Sequence, residues 1–184
     1  MAGVLIPLAQ GCEELEAVTI IDLLRRAEIT VVTAGLDNKP VKASRGVVMM
    51  PDVELTAVMD RDFDMIVLPG GLPGADFLDE DCRIQRLLCE MNAKGKWIAA
   101  ICAAPKVLAS AGLLENKKVT SFPGSLEHFD IKGMVYSTAA VVVDGQIITS
   151  RGPGTAMDFA LTLIELLSGI EKRKAVEKPL QRPE

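Results

Sequence analysis

Residues 97–105, WIAAICAAP, constrain this chain more than any other stretch. The apolar run from Trp97 to Ile101 reads as a buried strand. Pro105 opens an apolar helical run through Leu108, Leu113 and Leu114. Proline suits a first helical turn, where its missing N–H has no partner to lose. Cys102 therefore falls on a sharp strand-to-helix turn with small residues around it, the pattern of a nucleophile elbow. A helix start places N–H groups and partial positive charge near the sulfur, which favours the reactive thiolate. The other reading is a small core hydrophobe, the usual fate of a free cysteine. An elbow of this kind belongs at the edge of a parallel sheet.

The rest of the chain has the alternation such a sheet needs. Strands are expected at 3–8, 29–34 and 63–69, with a weaker strand or hairpin at 41–50 around Ser44-Arg45-Gly46. Helices are expected at 13–27, from about Ala75 to Lys94, and at 155–168, closed by Gly169. Short strands at 118–122, 134–137, 139–143 and 146–149 follow the elbow helix, with a hairpin turn at Asp144-Gly145. This order implies an α/β fold with a mainly parallel central sheet covered on both faces. The 184 residues suggest one domain spanning 1–184, with 170–184 a short helical fragment and a loose tail. The first residues, MAGVLIPLAQG, read as a strand rather than a signal peptide.

Composition narrows the function classes. A net charge of −5 without a basic stripe points away from nucleic acid. No apolar run approaches the ~20 residues of a membrane span. One histidine cannot supply the usual zinc pattern, and no metal or other cofactor is expected. Of the four cysteines, none forms a C-x-x-C pair. Cys82 and Cys89, on one helix, would lie roughly 10 Å apart, too far for a disulfide. This usage fits a reducing cytoplasm.

Ligands of parallel sheets bind at the carboxyl ends of strands. Three loops there, Ala9 to Glu16, Gly70-Gly71 and the elbow, can converge on one pocket. Glu16 shares a stripe with Ile20, Leu23 and Ala27, and a carboxylate on such a stripe is costly without a partner. It is either a first-turn residue favoured by the helix dipole or a buried acid facing Cys102. Gly70-Gly71 is either an ordinary loop or a source of backbone N–H groups for an oxyanion. His128 reads as an exposed loop residue, and 150–154 as a turn that could line a pocket. Cys12 is expected to be exposed near the same sheet edge, with nothing local to activate it.

Five segments, GCEELEAV around Glu16, ASRG around Arg45, VLPGG ending at Gly71, AAICAAP around Cys102 and TSRGPGTAMDFAL from Thr149, together resemble the ThiJ/PfpI superfamily, in the branch of the parkinsonism-associated deglycase and its bacterial relatives. The resemblance covers nearly the whole chain. It implies a flavodoxin-like three-layer sandwich that forms a homodimer. Matched residue by residue, it implies Cys102 as nucleophile and Glu16 as its protonated partner. It implies an oxyanion site from Gly70, Gly71 and the amide of Ala103, with Arg26, Arg45 and Pro153 near the pocket. Two positions depart from the pattern. Ala103 stands where protease-like members carry histidine, and Phe122 stands where the branch often carries one. No cysteine–histidine dyad can be matched, which disfavours peptidase activity. The implied activity is cofactor-free conversion of methylglyoxal or glyoxal to the hydroxy acid, with repair of glycated thiols and amines. The alternative is a non-enzymatic redox sensor or stress chaperone in which Cys102 is oxidised to sulfinate.

Overall fold

A computed structural model describes residues 2–182. In chain order the elements are β1 (Gly3–Leu8), α1 (Glu14–Arg26), β2 (Thr30–Gly35), β3 (Val41–Lys42), β4 (Val48–Met49), β5 (Val53–Glu54) and β6 (Met65–Leu68). Then come α2 (Gly74–Glu80), α3 (Cys82–Ala93), β7 (Trp97–Ile101), α4 (Pro105–Ser110), β8 (Lys118–Val119) and β9 (Val135–Tyr136). The order ends with β10 (Val141–Asp144), β11 (Ile147–Ser150), α5 (Ala156–Ser168) and α6 (Ile170–Glu177).

Seven strands form the main sheet in the order β10-β11-β7-β6-β1-β2-β5. Only the β10–β11 pair is antiparallel. Strand residues alternate between its two faces, as the two-residue period requires. Val4, Ile6, Ala99 and Ile101 pack on the side of α1 and α5. Leu5, Ile98 and Ala100 pack on the side of α3 and α4. Both faces are covered, which explains why the inner strands are unbroken apolar runs. The fold is the expected flavodoxin-like α/β sandwich. No described helix is long and apolar enough to cross a membrane.

Three local expectations change. The helix expected over 75–94 breaks into α2 and α3, because the Asp81 carboxylate accepts the Arg83 N–H at 2.9 Å and caps a new start. The segment around 118–137 contributes a separate parallel pair, β8–β9, and the β10–β11 turn falls on Gly145-Gln146. The tail is more ordered than expected. Val176 of α6 is buried, and Arg182 pairs with Asp158 at 2.6 Å and Glu177 at 2.8 Å, which ties it to α5 and α6. Residues 183–184 of the expected loose tail lie outside the described residues.

Candidate active site

The carboxyl ends of β1, β6 and β7 lie side by side, and each feeds one part of the site. Cys102 follows β7 directly, with φ at +62°. A non-glycine residue held there costs about 1–3 kcal/mol and persists only where its surroundings fix it. Those surroundings are two hydrogen bonds. The Cys102 N–H donates to the Ser150 carbonyl at 3.0 Å, and the Cys102 carbonyl accepts the Phe122 N–H at 2.8 Å. Pro105 sits at the first turn of α4.

Glu16, from the first turn of α1, is fully buried. Its Oε2 accepts the Gly70 N–H at 2.8 Å, while Oε1 has no hydrogen bond of regular geometry among the described residues. Gly70 separates the carboxyl from Cys102. A Cβ there would lie 2.6 Å from the Cys102 Cβ and 2.8 Å from Glu16 Oε2, so only glycine lets the two groups approach. Burial pushes Glu16 up to about 7, against the Gly70 N–H and the Cys102 thiol, which pull it down. Of the two sequence readings, the buried acid facing Cys102 matches this placement.

The thiol differs from the sequence expectation. Burial first, and then the charge of Glu16, push Cys102 up to about 12. The N–H groups of Gly71 and Ala103 pull the other way, as a helix start should, but they are outweighed. A sequence reveals the helix start and not the depth of the sulfur. With the proton on Glu16, its charge no longer opposes the thiolate.

The expected oxyanion trio also changes. The Gly70 N–H is occupied by Glu16 and its carbonyl by the Glu13 N–H at 2.9 Å. Gly71 and Ala103 are left to face the sulfur.

The sulfur opens into a cleft of about 710 Å³. Arg45 and Pro153 line it, as expected. Arg45 rides on the β3–β4 hairpin, which Glu14 holds by accepting the Arg45 N–H at 2.9 Å. Burial opposes ionisation of Glu14, but these backbone N–H groups and Ser44 keep its pKa below the ordinary value. Arg26 does not reach the cleft. It sits at the far end of α1, paired with Asp22 at 2.7 Å. Cys12 is fully buried rather than exposed, and burial raises its thiol to about 12. His128 is exposed, as read, yet it lines the cleft mouth. Sequence reasoning missed Glu13, Leu72 and the Lys106–Asp76 ion pair in the cleft wall. Lys106 alone left a signal, since it lies four residues after Cys102 at the helix start.

This geometry defines a parallel α/β protein with a cysteine elbow facing a buried carboxyl group. The pattern of the DJ-1/PfpI family matches residues 2–166, and the chain belongs to that family. It is 45% identical over 177 residues to protein dj-1beta of Drosophila melanogaster, covering 96% of this chain and 95% of that one. It is 38% identical over 179 residues to the glutathione-independent glyoxalase DJR-1.2 of Caenorhabditis elegans, covering 97% and 95%. The crystal structure of Drosophila melanogaster DJ-1beta superposes with a TM-score of 0.94 at 43% identity, covering 100% of this chain and 99% of that one.

Proposed function

We propose that the protein is a cofactor-free glyoxalase or deglycase-type enzyme acting on methylglyoxal, glyoxal and their adducts with thiols and amines. The observation that carries this reading is the Glu16 carboxyl, buried with Oε1 unpartnered among the described residues, beside a thiol that faces two backbone N–H groups. The name of the C. elegans relative supports it. The catalytic residues are Cys102 and Glu16. Arg45 and Pro153 bind substrate at the cleft.

The reaction starts from the form with the proton on Glu16 and the charge on sulfur. Cys102 attacks the aldehyde carbon, a C–S bond forms, and the carbonyl oxygen takes the proton of Glu16. The Gly71 and Ala103 N–H groups are the donors that stabilise this oxygen as charge develops. Glu16, now a carboxylate, removes the proton from the same carbon while the ketone oxygen takes one from water. Returning that proton to the neighbouring carbon, while the hydroxyl proton passes to the hydroxide that the water left, gives a thioester. Water cleaves the thioester to the 2-hydroxy acid and restores the thiol. One carbon is oxidised and its neighbour reduced, so no outside oxidant enters.

Purified protein should convert methylglyoxal to lactate without added thiol, and Cys102→Ala should abolish it. A protein that leaves methylglyoxal untouched while mild peroxide converts Cys102 to sulfinate before Cys82 or Cys89 is a redox sensor instead.

The protein acts as a homodimer in this proposal. Leu15 and Val18 of α1, with Val47, Val48 and Met50 around β4, leave large apolar side chains exposed. The 19.7 kDa chain should sediment at twice its mass at micromolar concentration, and a monomer mass there would exclude the dimer.

A further inference from the structure

Phe122 is half exposed, at 50%, in the wall of the cleft that holds Cys102. It is not a stray surface residue. Its N–H is fixed to the Cys102 carbonyl at 2.8 Å. Its ring edge and the sulfur flank the same point. A Cβ built on Gly152 would lie 3.4 Å from the Phe122 Cδ2 and 4.0 Å from the Cys102 Sγ. Leu72, 61% exposed, and Pro153 are apolar groups of the same cleft. The cleft, at about 710 Å³, has the size of a site for a drug-sized ligand, far more than a three-carbon dicarbonyl fills.

We propose that Phe122 forms an apolar subsite beside the sulfur that selects α-oxo aldehydes bearing an aryl or other bulky apolar substituent. The inference deepens the glyoxalase reading and rests on it for the substrate's reacting end. The aldehyde carbon meets the sulfur, and the substituent extends along the ring toward Leu72 and Pro153. Phe122 is a specificity-determining residue here. It supplies ring contact and takes no proton.

The test compares two alkylating agents on one chain, iodoacetamide and N-benzyl iodoacetamide. The exposed Cys82 reports their intrinsic reactivity ratio. At Cys102 the benzyl reagent should be favoured about fivefold beyond that ratio, the scale of one aromatic contact. In Phe122→Ala the preference should fall to the ratio of Cys82. Phe122→Leu, which keeps apolar bulk, should fall between. Plain iodoacetamide should alkylate Cys102 at the same rate in all three, because the main-chain bond to Cys102 is kept. An unchanged preference in Phe122→Ala overturns the subsite. The second arm is turnover. Phenylglyoxal should exceed methylglyoxal in kcat/KM, and Phe122→Ala should reverse that order. Equal kcat/KM for the two in the wild type overturns the substrate assignment. If neither is turned over while the benzyl preference holds and is lost in Phe122→Ala, the glyoxalase reading fails and the apolar subsite stands.

Discussion

Glu16→Gln is expected to lower methylglyoxal turnover by about a hundredfold or more, the usual scale of general acid–base catalysis, while Cys102 still reacts with iodoacetamide. Glutamine fits the observed geometry. Its carbonyl accepts the Gly70 N–H now bound by Oε2, and its amide N–H₂ faces the thiol. The sulfur keeps a hydrogen-bond donor and loses a group that exchanges protons. The pH profile separates the roles further. The active pair carries one proton. Below the Glu16 pKa of about 7 it carries two, so wild-type kcat/KM should rise as pH increases through about 7. That limb should vanish in Glu16→Gln. Unchanged turnover with unchanged alkylation would leave Glu16 without a catalytic role.

The second large effect is on stability. The folded-state pKa of Glu16 is raised from 4.5 to about 7, so the folded protein holds a proton that the unfolded chain has released. For an acid with a raised pKa, stability is lost as pH rises through that window. The loss is about 3 kcal/mol between pH 4.5 and pH 7 and above, at about 1.4 kcal/mol for each pH unit. The carboxylates with lowered pKa, among them Asp52, Asp64 and Asp81, act in the opposite sense, and their contribution is complete near their ordinary values. The decline above pH 4.5 is therefore the signature of Glu16. Urea midpoints between pH 5 and 8 should fall in the wild type and stay flat in Glu16→Gln. Parallel slopes in the two proteins would show that the carboxylate is not strained in the fold.

Local pattern is what made the core of the site legible. The elbow is one uninterrupted stretch, and Trp97–Ile101 is the strand that its apolar run announced. Glu16 was visible because helical spacing set it among Ile20, Leu23 and Ala27, and all of these are buried. The far wall of the cleft was not legible. Asp76, Lys106, Phe122 and His128 come from three separate segments, and no spacing rule joins them. The resemblance put Arg26 beside the pocket, but its place at the last turn of α1 holds it away. The break at Asp81 was hidden because a capping aspartate and an ordinary helical aspartate look alike in one sequence. The order of the tail depends on a partner far away in sequence, Asp158 for Arg182.

The two main-chain bonds that hold Cys102 also decide when its strained backbone is fixed during synthesis. Both Phe122 and Ser150 lie downstream of the cysteine. As the chain leaves the ribosome, residue 102 emerges with neither anchor in place and is an ordinary thiol on an unfolded segment. The Glu16 carboxyl, already made, has no sulfur held against it. The turn at Cys102 gains both anchors only when β11 is laid beside β7, late in translation. The cysteine is thus fixed by segments made after it.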